Sequence, residues 1–206
     1  MIVVVDYGVN NLASVVRALR AGGHPAELAS DPDQVRRAER VLMPGVGNFG
    51  AASRTLASTG LGEAVREVAT AGRPVMGICL GLQLFFEVSE EAPDARGMSL
   101  LTGRVRRFSS DLPVPHVGWA RVELTDRGRR HAMLGPAFGA DPQFFYHVHS
   151  FYPTDLPDEA VLGTGDYGGA FATLVGQETV VGAQFHPEKS QHAGIELLRA
   201  FARWQP

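Results

Sequence analysis

Short apolar runs alternate with amphipathic stretches along the first ninety residues of the chain. The apolar runs are typical of buried strands and lie at residues 2–5, 26–29, 41–43 and 74–76. Between and after them, helical patterns occur at residues 12–19, from 31, at 61–68 and at 82–86. Asn10 or Asn11 is expected to cap the first helix, and Asp31-Pro32 to begin the second. Strands that alternate with helices through short connections predict a parallel sheet covered on both faces.

The later part of the chain has a different pattern, in which short apolar segments are separated by Gly, Pro and Asp. These segments predict strands at residues 104–108, 121–124, 144–148, 160–164, 171–175 and 180–185, with a closing helix at 195–204. The pattern indicates a mixed sheet or an added β-layer. Because no repeat, low-complexity tract or linker is evident, we expect one domain over residues 1–206.

Composition narrows the class of protein. The 206 residues are 45% hydrophobic and 20% charged, which favours a folded chain with a proper core. The formal net charge of −3 makes a nucleic-acid or membrane-surface binder a poor interpretation. The sequence contains no signal-peptide pattern and no apolar run of membrane-spanning length, so we expect a cytoplasmic location. A single cysteine excludes an internal disulfide and a zinc site that needs two thiolates.

That cysteine, Cys79, lies between a predicted strand and a predicted helix within Gly77-Ile78-Cys79-Leu80-Gly81. Glycines two residues before and after a nucleophile are what a nucleophile elbow requires, because side chains there would collide across the strained turn. The elbow would hold the sulfur at a helix start, where N–H groups favour a thiolate, and would aim the Leu80 N–H at an oxyanion. The alternative is a buried cysteine with a structural role, the usual state of a free cysteine.

A cysteine nucleophile needs a base and a group that orients the base. His186 ends the predicted strand at 180–185 and precedes Pro187, which favours extended backbone. Residues two apart in an extended segment share a face, so the Glu188 carboxylate can lie beside the imidazole and fix its tautomer. The sequence therefore predicts that Cys79, His186 and Glu188 form a catalytic triad.

Gly45, Gly47 and Gly50 also fit the G-x-G-x-x-G pattern of dinucleotide-binding oxidoreductases. That fingerprint belongs after the first strand of a βαβ unit, with an acidic residue about 20 positions later at the end of the next strand. Here it follows the third predicted strand, and the nearest acidic residues, Glu63 and Glu67, lie in a predicted helix. We therefore favour a loop that faces the elbow and supplies a second backbone N–H to the oxyanion.

Two motifs resemble those of the class I glutamine amidotransferases, Gly77-Ile78-Cys79-Leu80-Gly81-Leu82-Gln83 and Gln184-Phe185-His186-Pro187-Glu188. Further motifs, in the family's order, narrow the resemblance to glutaminase subunits of imidazole glycerol phosphate synthases. They are Asp6-Tyr7-Gly8, Pro44-Gly45-Val46-Gly47-Asn48-Phe49, Ser89-Glu90-Glu91, Pro115-His116-Val117-Gly118-Trp119, Val148-His149-Ser150 and Lys189-Ser190-Gln191. The resemblance covers residues 1–191 and implies a flavodoxin-like α/β fold with a mixed, mostly parallel sheet and helices on both faces.

The resemblance implies glutamine hydrolysis through a thioester on Cys79, with His186 moving protons and Glu188 orienting it. The ammonia would pass through a tunnel to a (β/α)8-barrel cyclase, the partner in a heterodimer. That partner forms imidazole glycerol phosphate and an aminoimidazole carboxamide ribotide in histidine biosynthesis. The family needs no metal or organic cofactor on this subunit. A non-catalytic α/β binding module with a structural cysteine is the competing hypothesis.

The resemblance also assigns expected roles to individual residues. The oxyanion-hole residues are Val46, Gly47 and Leu80. The glutamine-binding residues are Gln83, Glu91, His149, Ser150 and Phe151. The residues at the cyclase interface are Asn11, Arg17, Trp119 and Lys189. In the family, the Val46 peptide has to flip before its N–H can face the oxyanion, which implies a resting enzyme that the partner activates. Simpler alternatives are a solvated loop acid for Glu91, a core position for Trp119 and a solvated helix face for Arg17.

Lys189 is the only lysine in a chain with 18 arginines, and a compact ammonium is not interchangeable with a guanidinium. We therefore expect Lys189 to make a specific contact with the cyclase. Three residues depart from the family's usual pattern: Asn10 replaces glycine, Ala120 replaces asparagine, and His147 replaces an aromatic residue. His147 and His149 could also share a strand face as metal ligands, but no third ligand is apparent in the sequence.

Overall fold

The first part of the chain follows the predicted alternation of strands and helices. The computed structural model describes residues 1–109, 111–139 and 142–206. The strands of this part are β1 (Ile2–Val5), β2 (Ala26–Ala29), β3 (Arg40–Met43) and β4 (Val75–Ile78). The helices are α1 (Leu12–Ala21), α2 (Pro32–Arg36), α3 (Phe49–Thr59), α4 (Leu61–Thr70) and the single turn α5 (Leu80–Gln83).

The second part of the chain is dominated by strands. They are β5 (Arg104–Arg107), β6 (His116–Leu124), β7 (Gln143–His149), β8 (Phe151–Thr154), β9 (Val161–Asp166), β10 (Ala170–Gln177) and β11 (Val180–Ala183). The helices are α6 (Asp126–Arg130), α7 (Leu134–Phe138) and α8 (Gln191–Arg203), and 3-10 turns lie at Asp158–Ala160 and Pro187–Lys189. No helix among the described residues is long and apolar enough to span a bilayer.

The nine-stranded sheet has two halves of different geometry. Strands β2-β1-β3-β4-β11 lie side by side in parallel, in the order 2-1-3-4-5 of flavodoxin-like folds, with β11 in the fifth place. We call these strands the parallel half. The sheet continues through β10-β9-β6-β7 with antiparallel pairing, which we call the antiparallel half. A separate ribbon pairs β5 with β8. The predicted α/β fold with a mixed sheet is confirmed.

Buried helices cover both faces of the sheet. In β1, Ile2 and Val4 pack into the core formed with α1 and α8, whereas Val3 and Val5 pack into the core formed with α3 and α4. A strand buried on both faces reads as a continuous apolar run, because successive side chains point to opposite faces. Each fully buried valine contributes about 1.5–3 kcal/mol of transfer free energy.

Helix starts differ in how well the sequence predicted them. Asp31 accepts a hydrogen bond from the Asp33 N–H at 2.9 Å, which confirms the predicted cap of α2. Asn11 directly precedes α1 but makes no side-chain cap, because its backbone is left-handed (φ 77°) and its amide is used elsewhere. The expected side-chain cap of α1 is therefore wrong. Helix α3 was not predicted, although Asn48 caps it by accepting from the Ala51 N–H at 3.0 Å.

The helix after Cys79 is shorter than predicted, so Phe85 and Phe86 lie outside it. Beyond Leu84 the backbone N–H groups donate to the carbonyl three residues earlier, and the Phe85 N–H donates to the Leu82 carbonyl at 2.9 Å. Backbone N–H groups within residues 98–101 donate to the carbonyls of Leu84 and Phe85, so the helix ends there. A single turn has a small dipole, so the predicted helix-dipole contribution at Cys79 is weak.

Candidate active site

The predicted site residues converge on the loops at the carboxyl ends of the parallel strands. Tyr7 follows β1, the Pro44–Gly47 loop follows β3, Cys79 follows β4 and His186 comes shortly after β11. Strand order reverses between β1 and β3, and ligand sites of open α/β sheets form outside the carboxyl ends at such a reversal.

Cys79 adopts the strained turn that the glycine pattern predicted. Its backbone has φ 53° and ψ −108°, and its N–H donates to the Ala183 carbonyl at 2.8 Å. A Cβ on Gly77 would lie 2.6 Å from the Leu82 nitrogen, and one on Gly81 would lie 1.8 Å from the Met43 carbonyl oxygen. The expected collision across the elbow is confirmed for Gly77, whereas a side chain at Gly81 would collide with the end of β3.

His186 and Glu188 form a buried pair. The His186 Nδ1 lies 2.7 Å from the Glu188 Oε1, and both side chains are about 1% exposed. The prediction that an extended segment places them side by side is wrong, since Pro187–Lys189 is a 3-10 turn that brings the carboxylate to the ring. Burial lowers the pKa of His186, but the nearby charge of Cys79 and the hydrogen bond to Glu188 outweigh it and raise the pKa to about 10.

Neighbouring groups hold this pair in place. Asn11 Nδ2 donates to the Glu188 Oε1 at 2.5 Å. The Asn11 amide, which does not cap α1, is therefore engaged in this contact. The His186 N–H donates to the Tyr146 carbonyl at 2.9 Å. The Ser190 hydroxyl donates to the His186 carbonyl at 2.6 Å and accepts from the Tyr146 N–H at 3.0 Å. The two bonds at Tyr146 join the triad segment to β7 of the antiparallel half, and the bond between Ser190 and His186 lies within that segment.

The loop at residues 44–47 faces the elbow, as predicted, but occupies part of the expected oxyanion hole. The Leu80 N–H donates to the Gly45 carbonyl at 3.3 Å, so this expected oxyanion donor is already engaged. The buried Tyr7 hydroxyl donates to the Pro44 carbonyl at 2.6 Å, and a Cβ on Gly45 would lie 2.3 Å from that hydroxyl oxygen. Burial and then the charge of Cys79 raise the pKa of Tyr7, which keeps it a neutral donor.

One cavity of about 180 Å³ joins most of the predicted residues. Its lining comprises Val46, Gly47, Cys79, Leu80, Gln83, Glu91, Val148, His149, Ser150 and Phe151. It contains every predicted oxyanion and glutamine-binding residue together with Cys79. Larger clefts of about 370 and 500 Å³ lie between α7 and α8 and beside α1 and β2, and their described linings contain none of the predicted triad residues. The residues that line a cavity, rather than its volume, indicate the candidate active site.

The polar residues of the cavity have defined contacts. The Glu91 Oε2 accepts from the Phe49 N–H at 2.8 Å, at the start of α3, so this carboxylate is anchored rather than a free loop acid. The His149 Nδ1 lies 2.9 Å from the Phe151 carbonyl oxygen. Gln83 is buried and donates to the same carbonyl at 3.1 Å. These contacts fix the walls of the cavity before any ligand binds.

Three residues that support the site were not predicted to do so. Gln184, Tyr7 and Ser190 each lie within a motif of the sequence, but the pattern of residues assigned them no role. Gln184 lies two residues before His186, so the alternation along an extended segment could have placed both on one face. The hydrogen bonds of Tyr7 and Ser190 join parts of the chain 37 and 44 residues apart, and no local signal predicts such contacts.

The four predicted interface residues differ in their surroundings. Trp119 is 49% exposed, which is not a core position, and its ring centroid lies 6.4 Å from that of Tyr146. Lys189 is exposed, with its Nζ 5.8 Å from the Tyr146 ring centroid, within cation–π range. Arg17 is exposed on α1 and donates to the Ser14 hydroxyl, and Asn11 contacts Glu188 as described above.

His147, one of the three departures, is a buried neutral residue of the antiparallel half. Burial lowers its pKa to about 3. Its Nδ1 lies 3.0 Å from the Phe145 carbonyl oxygen, its Nε2 lies 3.0 Å from the Thr173 hydroxyl, and its ring stacks on His116. Asn10 is exposed and Ala120 is partly buried. In the described part of the chain, no group of three or more His, Cys, Asp or Glu is arranged to hold a metal ion.

Comparison with known proteins points to one family. The family model described as glutamine amidotransferase class-I matches residues 3–203. The imidazole glycerol phosphate synthase subunit HisH of Moorella thermoacetica is 44% identical over 97% of this chain and 93% of its own length. The subunit of the same name from Symbiobacterium thermophilum is 44% identical over 98% of this chain and 93% of its own length.

Solved structures share the fold at low sequence identity. A crystal structure of a glutamine amidotransferase superposes with a TM-score of 0.76 at 19% identity, covering 97% of this chain and 96% of that one. The structure of PurLQS from Thermotoga maritima gives a TM-score of 0.74 at 19% identity with the same coverage. At this identity the likeness supports the fold.

Proposed function

We propose that this chain, which belongs to the class I glutamine amidotransferase family, is the glutaminase subunit of an imidazole glycerol phosphate synthase. One observation carries the proposal. Cys79, at a nucleophile elbow, meets the expected glutamine-binding and oxyanion residues around one small cavity, and the charge of Cys79 helps to raise the pKa of the buried His186, which is paired with Glu188. The two HisH relatives match along nearly the whole chain, which supports the same role here.

The reaction begins when the Cys79 thiol passes its proton to His186 and the sulfur attacks the side-chain carboxamide carbon of glutamine. The C–S bond forms while the carbonyl π electrons move to oxygen, which gives a tetrahedral oxyanion. His186 gives a proton to the leaving nitrogen, the C–N bond breaks, and ammonia departs from a thioester. Water then attacks the thioester as His186 accepts its proton, and glutamate is released with the thiol restored.

The geometry of His186 suits this proton transfer. Its Nδ1 is engaged by Glu188, so Nε2 is the nitrogen left to exchange protons with the sulfur and the leaving group. Nε2 is buried and has no hydrogen-bond partner among the described residues, which is where a reacting group would bind. Asn11 and Glu188 therefore orient the ring from the side opposite the reaction.

The oxyanion loop is in a resting state in this proposal. A tetrahedral oxyanion needs N–H donors, but the Leu80 N–H is held by the Gly45 carbonyl. At 3.3 Å that hydrogen bond is long and weak, whereas the Tyr7 bond to Pro44 at 2.6 Å is short. The loop can therefore release Leu80 while it stays anchored at Pro44. A flip that turns the Val46 N–H toward Cys79 would complete the hole.

The barrel cyclase is the proposed partner, and it docks on a surface that we call the edge face. The edge face comprises Val117, Trp119, Phe144, Tyr146 and Lys189. Val117, Trp119 and Phe144 are each about half exposed, an unusual concentration of large apolar side chains. They lie on outward positions of the paired strands β6 and β7, beside Val148 of the cavity lining. Docking there places the partner next to the site of ammonia release.

We propose a cytoplasmic location, because a cysteine nucleophile works only as a reduced thiol and reducing compartments preserve it. The proposed chemistry uses side chains and backbone groups of this chain, with glutamine and water as reactants.

The experiment that tests the function measures glutamate release from glutamine by this chain bound to the barrel subunit, with the cyclase substrate or an unreactive analogue present. We expect turnover by the wild type and a loss on the order of 10⁵-fold or more in Cys79→Ala, because the reaction loses its nucleophile. Circular dichroism of both chains controls for folding. A wild-type complex without turnover favours the non-catalytic binding module instead. Turnover that survives Cys79→Ala contradicts the proposal that Cys79 is the nucleophile.

A further inference from the structure

A buried chain of side-chain amides connects the wall of the cavity to the sulfur of Cys79. The Gln83 Nε2 lies 3.1 Å from the Phe151 carbonyl oxygen and 3.2 Å from the Gln184 Oε1. The Gln184 Nε2 in turn lies 3.7 Å from the Cys79 Sγ. Gln184 is fully buried and Gln83 is 5% exposed, so this chain of bonds is shielded from solvent.

The orientation of each amide follows from the first acceptor. A backbone carbonyl can only accept, so Gln83 must direct its NH2 group toward Phe151. The second N–H of that group then meets Gln184, which must present its own carbonyl oxygen. The Gln184 NH2 group is therefore left facing the sulfur. If the Gln184 amide were turned the other way, its NH2 group would face the NH2 group of Gln83. Its carbonyl oxygen would then face the Cys79 sulfur as a thiolate develops there.

The sheet register places Gln184 beside the nucleophile. Strands β4 and β11 are parallel neighbours that pair Ile78 with Ala183, and the Cys79 N–H donates to the Ala183 carbonyl at 2.8 Å. The Gln184 N–H donates to the Thr173 carbonyl at 2.8 Å, which fixes its backbone against β10. The Gln184 amide beside the Cys79 sulfur is thus held in place by buried strands of the sheet.

We propose that Gln184 stabilises the thiolate of Cys79 by donating an N–H to its sulfur, and that Gln83 and the Phe151 carbonyl hold this donor in place. The inference rests on the proposed function, in which Cys79 is the nucleophile. A hydrogen bond to the charged form of a buried group favours that form. The neutral amide of Gln184 can donate such a bond without competing with His186 for a proton. Both N–H groups of Gln83 are used, so its Oε1 remains to face a bound glutamine.

The test is the pH dependence of Cys79 alkylation by iodoacetamide, followed by intact mass without glutamine or the barrel subunit. The chain has one cysteine, so the mass change reports on Cys79 alone. Gln184→Met keeps a side chain of similar length and removes the donor. We expect the midpoint of its pH–rate profile to rise by about one unit, with alkylation near neutral pH slower by about tenfold. Gln83→Met, which removes only the group that orients Gln184, should give a smaller rise.

Two further variants keep the test decisive. Gln184→Leu is close in size, adds no charge and lacks the same donor, so it replaces Gln184→Met if the latter does not fold. Gln143→Met is the matched control, because Gln143 donates to the Phe138 carbonyl at 3.1 Å, away from Cys79, and should leave the profile unchanged.

A folded Gln184→Met or Gln184→Leu variant with the wild-type profile would overturn the inference, even if its thermal midpoint is lower. A shifted profile supports it. Failure of the proposed function has a separate sign, since it is the absence of glutamate release by the wild-type complex.

Discussion

The parallel and antiparallel halves of the same sheet carry different parts of the site. In the parallel half, Cys79 and His186 are almost completely buried at the ends of central strands, and the groups around them are held by hydrogen bonds. In the antiparallel half, strands β6 and β7 form an edge with three large apolar side chains about half exposed, Val117, Trp119 and Phe144. Reactive groups are enclosed in one half, and a binding surface is left open in the other.

The difference follows from what each task needs. A buried thiolate and imidazole interact strongly because water is excluded, whereas a partner can bind only to side chains that the folded subunit leaves exposed. The two halves pair along β11 and β10, and Tyr146 on β7 adds a second connection. Its backbone bonds to His186 and Ser190, while its ring lies beside Trp119 and Lys189. We infer that partner docking reaches the triad through this strand.

The largest expected effect comes from removing the imidazole in the parallel half. His186→Asn should lower the turnover of the barrel-bound chain by about 10⁴-fold or more, because neither the thiol nor the leaving ammonia then has a proton carrier. Steady-state glutamate release at saturating glutamine measures this. Affinity for the barrel subunit should stay near that of the wild type; a large loss of binding would show that the halves are not separable as described.

The next largest effect comes from the edge face. Trp119→Ala should weaken binding of the barrel subunit by about 30-fold, since a central aromatic anchor is worth about 2 kcal/mol or more. Titration of the barrel subunit by calorimetry gives the Kd. Leu28→Ala is the matched control, because Leu28 is 48% exposed against 49% for Trp119 but lies on β2, at the opposite edge of the sheet. Equal losses of affinity in the two variants would show that the edge face does not bind the barrel subunit.

A smaller effect comes from the connection between the halves. Ser190→Ala leaves the Tyr146 N–H and the His186 carbonyl without their hydroxyl partner, at a cost of about 1–3 kcal/mol in the free energy of unfolding. We expect barrel-stimulated turnover to fall by about tenfold while the Kd for the barrel hardly changes. Ser58→Ala, which removes an exposed hydroxyl from α3, is the control. Unchanged stimulation in Ser190→Ala would mean that the halves communicate by another route.

The smallest effect concerns acid stability of the antiparallel half. The folded chain keeps His147 neutral down to about pH 3, but the unfolded chain takes up a proton below the ordinary pKa of 6.5. The unfolded state therefore binds more protons in this window, and the free energy of unfolding falls as the pH falls. Between about pH 7 and about pH 5.5, the free energy of unfolding of His147→Phe should fall by about 1 kcal/mol less than that of the wild type.

Urea unfolding at the two pH values measures this difference, with His192→Phe as an exposed control on α8. Burial also lowers the pKa values of His116 and His149, so acid sensitivity decreases in His147→Phe without disappearing. If the wild type and His147→Phe lose the same free energy, His147 does not contribute to acid sensitivity.

The parallel half could be predicted well from sequence because its signals are local. Continuous apolar runs mark β1 and β4, and the glycines around Cys79 act through contacts within a few residues and with the end of β3. Helix α3 was missed because its apolar face is built largely of small residues, which give a faint helical stripe. Strand β8 was missed because it contains Pro153, which lowers strand propensity.

The contacts that control the chemistry were harder to predict. The Leu80–Gly45 hydrogen bond depends on the conformation of two loops that residue types alone do not determine. The position of Gln184 against Cys79 depends on β11 lying next to β4, although about 100 residues separate them in sequence. The roles of the triad, of the cavity residues and of the edge face stay predictions, as does the single domain over residues 1–206.

The most direct test of the account compares glutamate release by the wild-type chain alone and with saturating barrel subunit and cyclase ligand. Because the Gly45 carbonyl holds one oxyanion donor, and one such donor is worth about 10²–10³ in turnover, we predict stimulation of at least about 100-fold. A chain that hydrolyses glutamine as fast alone as with its partner would contradict the claim that the antiparallel half controls the chemistry of the parallel half.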